Sequence, residues 1–212
     1  MFILKINNLV VIISLKKRKR VKESKKDQIM KTALKLFAKK GFFNTTISDI
    51  AKEMGMSVGN MYNYFPSKES LAKELLIYTS KKFGEEIRKI NEMNISTKEK
   101  IKKIVELYFR MAEEEPELVD YFMRVYLSNK EIFANGCEGM LCVSAFVTEI
   151  MIFFEEGVRK KELKNQDFFA AFGLFMGYIG GLTFLSKENI LPKPLSEYVE
   201  SVSENIYNAL KA

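Results

Sequence analysis

Histidine and tryptophan are both missing from this chain, and cysteine occurs only twice. The missing histidine removes the usual general base of hydrolytic triads and the commonest zinc ligand. Cys137 and Cys142 stand five apart, outside the usual zinc spacings, and read as buried free thiols of a reducing compartment in preference to a redox pair. No P-loop is present. No metal site, cofactor or catalytic residue is therefore expected, and an enzyme is the weak reading. Four prolines and eleven glycines leave few breaks in 212 residues. Strand-like alternation is scarce, while Lys, Glu, Leu, Ile, Met and Phe are abundant, which favours helix.

Charge is unevenly spread. Residues 1–40 hold 13 of the 34 Lys and Arg but only two of the 27 acids, Glu23 and Asp27. The rest of the chain is mildly acidic. A basic end on an acidic body suits a polyanion partner, although a lysine-rich solvated surface looks the same. The first fifteen residues, MFILKINNLVVIISL, are apolar but shorter than the about 20 residues that span a bilayer. Their basic cluster, Lys16 to Arg20, follows the apolar run, whereas a secretory signal puts charge first. We expect residues 1–20 to be an N-terminal extension, either an upstream translated segment or a basic arm, with the domain proper beginning near Val21. A cytoplasmic protein without a membrane span is expected.

Helical punctuation is clear. Ser24, with Asp27 three residues on, caps a first helix that ends at Gly41. Thr46 with Asp49 starts a second, with Ile47, Ile50, Ala51 and Met54 on its apolar side. Gly55 permits a tight turn, and Ser57 caps a third helix anchored by Met61, Tyr62 and Phe65. Pro66 stops it, and Ser67 opens a long fourth. Further helices are expected over 98–114, 116–128, 138–161, 167–187 and 195–211. The fold class is all-α, with about nine helices: a basic helix-turn-helix domain over 21–67 and a larger helical domain over 68–212.

Two short amphipathic helices joined by a glycine suit an ordinary helical hairpin. They also suit a device that braces one helix so that the next enters the major groove. Asn60 and Asn63 fit base reading, because an amide pairs bidentately with adenine. Tyr62 and Tyr64 fit donation to phosphate. The run Gly59-Asn60-Met61-Tyr62-Asn63-Tyr64-Phe65, followed by Ser67-Lys68-Glu69 and Leu71, resembles the signature of the TetR family of transcriptional regulators. So do Phe37-Ala38-Lys39-Lys40-Gly41-Phe42 and Thr45-Thr46-Ile47 leading to Ile50-Ala51. The resemblance spans about residues 24–75.

That resemblance implies roles position by position. Thr46 and Ser48 match the start of the second helix, where phosphate or base contacts are made. Ser57, Val58, Gly59, Asn60 and Asn63 match the cap and exposed positions of the recognition helix. Tyr62 and Tyr64 match its phosphate-binding aromatics, and Lys68 the lysine opening the fourth helix. Lys25 and Lys26 match the basic arm before the first helix. Val58 and Gly59 offer little hydrogen bonding, so Asn60, Asn63, a thymine methyl against Val58, and DNA shape are expected to carry specificity.

The resemblance also implies that helices five to seven enclose a small-molecule pocket and that the last two form a dimer interface. Tyr108, Met111, Phe122, Tyr126, Phe146, Phe153, Phe172 and Met176 are the candidate pocket residues, since Met and Phe line adaptable apolar cavities. Arg110, Asp120, Arg124 and Glu149 are candidates for a polar tip. Gly173, Gly177 and Gly181 recur every four residues, which suggests close helix approach at a dimer seam or against the pocket. Tyr198, Val202 and Ile206 supply an apolar face for a four-helix dimer bundle, unless that face packs within the subunit. The resulting expectation is a homodimeric repressor of double-stranded operator DNA, released by a small apolar or amphipathic effector. The competing reading is a helical small-molecule carrier or membrane-surface protein without sequence-specific DNA binding.

Overall fold

The computed structural model describes residues 2–6, 9–13, 24–128 and 143–212, with backbone alone for 2–6, 9–13 and 124–128. The Lys16–Arg20 cluster, Asn135, Gly136, both cysteines and Met140 lie outside that set. So do the side chains of Arg124 and Tyr126. Strands β1 (Phe2–Ile6) and β2 (Leu9–Ile13) pair antiparallel, with Phe2 opposite Ile13. The apolar N-terminal run thus pairs with itself, which its composition did not announce.

The other named elements among the described residues are helical. They comprise α1 (Lys25–Lys40), α2 (Ile47–Glu53), α3 (Val58–Tyr62), α4 (Lys68–Asn91), α5 (Thr97–Glu114), α6 (Pro116–Ser128), α7 (Ser144–Arg159), α8 (Phe168–Lys187) and α9 (Val199–Leu210). A 3₁₀ turn, Leu195–Tyr198, leads into α9. Local chemistry sets the starts. Ser24, Thr46 and Ser96 each close a reciprocal capping box with the acid three residues on, while Ser57, Ser67 and Asp167 cap by side chain alone. Gly41 and Gly55 adopt φ of 82° and 62°, which only glycine takes without strain.

Ile29, Ala33 and Phe37 of α1 meet Ile50, Ala51, Met61 and Phe65 in the core of the small domain. That core runs on without a break into the larger one. Phe37 stacks on Tyr121 of α6, and the Tyr121 hydroxyl donates to the Ala72 carbonyl of α4 at 2.7 Å. Burial pushes the Tyr121 phenol well above its ordinary value.

α4 and α7 pack most extensively, and Gly84 is why they approach so closely. A Cβ there would sit 2.7 Å from the Ala145 carbonyl oxygen. Ser80 accepts from the Phe146 backbone N–H across the same contact, at 3.1 Å.

α5 and α9 pack side by side. Ion pairs Lys98–Glu204 and Lys102–Glu200, each at 2.5 Å, flank their contact. Lys100 is almost fully buried and donates to Glu156 of α7 at 2.7 Å and to the Asn91 carbonyl at 2.6 Å. This joins the end of α4 to α5 and α7.

Candidate functional site

The α2–α3 pair separates its side chains by chemistry. Ile47, Ile50, Ala51, Met61 and Phe65 are buried. Met54 is half-buried and takes a hydrogen bond from Thr32 Oγ1 at 3.0 Å. Thr46, Ser48, Ser57, Val58, Gly59, Asn60, Tyr62 and Asn63 are exposed together.

Tyr62 is 52% exposed, so it presents its ring outward and does not anchor α3 as the spacing suggested. Met61 and Phe65 are that helix's fully buried anchors, and Tyr64 is half-buried against the core. The face is preset by its own bonds. Asp49 accepts from the Thr46 backbone N–H at 2.8 Å and from its hydroxyl at 2.8 Å. These hold the Asp49 carboxyl below its ordinary range. Ser57 accepts from the Asn60 N–H at 3.2 Å, and the Asn63 amide donates to Asn60 Oδ1 at 3.4 Å. A Cβ added to Gly59 would meet nothing within 4 Å.

The flanking lysines are partly engaged. Lys26 pairs with Glu74 at 2.6 Å and lies 5.1 Å over the Phe65 ring. Lys68 donates to the Phe42 carbonyl at 2.9 Å and sits 4.3 Å over its ring. Both clamp α1 and α4 around the small domain, and each ammonium keeps further donors. Lys25 is exposed at the start of α1.

Residues 55–59 also spell G-x-S-x-G. That pattern serves a hydrolase when a strand runs into a helix and a histidine stands nearby. Here it joins helix to helix, Ser57 caps α3, and the sequence has no histidine.

A cavity of about 980 Å³ opens between α1, α5, α6 and α8. Tyr108 and Met176, two of the expected pocket residues, line it. Of the others, those whose side chains are described do not gather there. Phe122, Phe146 and Phe172 join Phe83 in a chain of ring contacts, Phe153 packs on Phe154 and Phe175, and Met111 is buried in the core. Among the polar candidates, Asp120 lines the cavity and pairs with Lys187 at 2.8 Å. Glu149 accepts from the Asn91 amide at 3.0 Å, and Arg110 is exposed. The α1 residues on the wall, Lys35, Ala38 and Lys39, escaped the sequence reading, because nothing in a helix pattern says which cleft its polar side borders.

The expected dimer residues divide. Val202 and Ile206 are 1% and 0% exposed, because α9 turns its one apolar face onto α5 within the subunit. They are unavailable to a partner, and Tyr198 is half-buried. Gly173, Gly177 and Gly181 instead lie open on α8, where an added Cβ would meet nothing within 4 Å. With Phe169, Leu174, Tyr178 and Phe184, all exposed, they form an apolar stripe. α8 is by length and composition apolar enough to cross a membrane, with mean hydropathy 1.8 over its best window.

Known proteins share this architecture. Residues 29–75 match the model of the bacterial regulatory proteins, tetR family. The uncharacterized HTH-type transcriptional regulator YerO of Bacillus subtilis is 26% identical over 193 residues, covering 82% of this chain and 62% of the relative. YuxN of the same organism, also an uncharacterized HTH-type transcriptional regulator, is 50% identical over 56 residues, covering 26% of this chain and 19% of the relative. The chain thus spans less than two thirds of the length of either.

Among solved structures, the fatty acid degradation regulator FadR from Bacillus halodurans superposes with a TM-score of 0.72 at 23% identity. It covers 88% of this chain and 96% of that one. FadR from Bacillus subtilis, solved in complex with stearoyl-CoA, gives 0.69 at 22% identity over 85% and 96%. These likenesses establish the fold. Residues 29–75 are thus similar to the tetR family of bacterial regulatory proteins, and the largely helical fold around them is the one these solved structures share.

Proposed function

We propose that this protein is a homodimeric transcriptional repressor that binds a pseudo-palindromic operator and is released by a small apolar or amphipathic effector. The observation that carries the reading is the two-sidedness of α2–α3: an apolar side buried in the domain core, and a contiguous exposed face of small polar groups and one tyrosine. A helix held this way enters a major groove with Asn60 and Asn63 at base edges. Thr46, Ser48, Tyr62 and Tyr64 serve phosphates, and the N-terminal lysines add sequence-independent affinity.

Two such faces one helical turn apart require a dimer. The open apolar stripe of α8 supports one, with Leu174 and Tyr178 exposed for a second copy to cover. The large helical domain supplies the sensor. A protein that works on operator DNA acts in the cytoplasm, and no catalytic step enters this account.

The same stripe also favours a membrane-surface reading. One experiment separates the two: selection of duplexes from a random pool by the full chain without detergent, at physiological salt. Enrichment of one inverted repeat is expected. A monodisperse protein that enriches no sequence overturns the repressor, and a protein that stays in solution only with detergent favours the membrane surface.

A further inference from the structure

We propose that the cavity between α1 and the sensor helices is the effector site, that the DNA-binding domain forms part of its wall, and that it selects an uncharged apolar molecule bearing a hydrogen-bond-accepting oxygen. The proposal rests on the ligand-responsive reading above and assigns that response to a place and a chemistry.

The volume, about 980 Å³, suits a small molecule. Its space exists because α8 carries glycine where it borders the cavity. Cβ atoms at Gly177 and Gly181 would meet nothing within 4 Å, and one at Gly180 would meet only the mobile end of Met123, at 2.8 Å. Met123 and Met176 give walls that adapt to an occupant. Gly177 and Gly181 leave this room on the face of α8 that also carries Phe184, which lines the cavity with them.

Polarity at depth comes from Tyr108. Its hydroxyl is buried, with the residue 3% exposed, and has no hydrogen-bond partner of good geometry. Thr183 lies beside it but donates to the Ile179 carbonyl at 2.9 Å. Burial pushes the Tyr108 phenol up, so it keeps its proton and offers a donor. Buried hydroxyls are rarely left unmatched, and an acceptor oxygen on a ligand completes this one.

Net charge on the ligand is disfavoured by the lining itself. Lys35, Lys39 and Lys187 line the cavity together with Glu113, Glu117 and Asp120, so neither sign of charge is in excess, and Lys187 pairs with Asp120. An anion or a cation meets repulsion for each attraction.

The position couples occupancy to DNA reading. One side of α1 gives Lys35, Ala38 and Lys39 to the cavity. Its other sides carry the Phe37 stack on Tyr121 and the Thr32 bond to Met54 of the helix-turn-helix. A molecule seated in the cavity bears directly on the helix that positions the reading head. It shifts the equilibrium by whatever preference it has between the two placements of α1.

Nile red, a neutral dye with one carbonyl, tests the site by fluorescence titration of the full chain without DNA. Anilinonaphthalene sulfonate is its anionic counterpart. Nile red is expected to bind, and the sulfonate more weakly. Ala38→Trp should abolish Nile red binding, and Tyr108→Phe should weaken it about fivefold. Hydrogen exchange in α1 should slow when the dye binds the unmodified chain and not the Ala38→Trp chain. No dye binding, tighter binding of the sulfonate, or an affinity unmoved by both substitutions overturns the proposal. Tyr108→Phe removes a single oxygen, so it keeps the test decisive if Ala38→Trp does not fold. Loss of duplex selection with the dye results intact counts against the repressor reading alone.

Discussion

Phe37 of α1 stacks on Tyr121 of α6 with ring centroids 5.8 Å apart and planes 18° from parallel. This pair is one of the contacts that join α1 to the larger helical part, and the Tyr121 bond to the Ala72 carbonyl fixes it to α4. Tyr121→Phe keeps the stack and removes one buried bond, for an expected loss of about 1 kcal/mol. Tyr121→Ala removes the stack as well, for about 3–5 kcal/mol. Urea unfolding of the two variants measures the difference.

At Gly84 the prediction is steric. Its missing Cβ lets α7 backbone come within 2.7 Å of where that atom would lie. Gly84→Ala must push α4 and α7 apart, with an expected loss of about 1–3 kcal/mol, even though alanine is the better helix former. A rise in melting temperature would show that the helices have slack.

Base reading and phosphate binding separate by substitution. Asn60→Ala should relax preference at one operator position by about 1–3 kcal/mol. Tyr62→Phe should weaken all duplexes alike, because a phosphate contact carries no sequence information. Equilibrium titrations against operator and single-mismatch duplexes distinguish these patterns.

Lys100→Ala removes the buried partner of Glu156, whose carboxyl is held low first by Lys100 and then by Lys160. Breaking such a pair costs about 3 kcal/mol. The sign of the pH effect follows from a depressed acid. Its contribution is full above the ordinary glutamate range and disappears as pH falls through the lowered folded value. The unmodified chain should therefore lose more stability on acidification than the variant does, as read from urea midpoints at about pH 7 and pH 3.

The stripe on α8 makes a simple prediction. Leu174, 41% exposed, becomes Glu, which tolerates water but not an apolar seam. Sedimentation should show a dimer for the unmodified chain and a monomer for Leu174→Glu, with each chain's helix content unchanged.

The exposed face of α2–α3 was legible because its signals are local. Capping boxes at Ser24 and Thr46, the turn at Gly55 and the spacing of Ile50, Ala51 and Met61 each lie within a few residues of what they determine. The larger helical part was less legible because its partners are distant in sequence. The apolar face of α9 is satisfied equally well by α5 or by a second copy, so Val202 and Ile206 carried no sign of which. α8 is apolar on nearly every side, so its periodicity cannot separate buried from open faces. Gly84 looked like any helical glycine until Ala145 was placed against it. Aromatic residues announced a packed interior at Phe122 and Phe146 and were silent on where packing would fail and leave space.

The open ground above Gly59 has an evolutionary consequence. Any side chain placed there enters solvent without disturbing a packed neighbour, so a single codon change can hand the third helix a new exposed group while the fold stays as it is. Under the proposed function, a duplicated copy of this gene would have, at that one position, a short route to a different set of promoters.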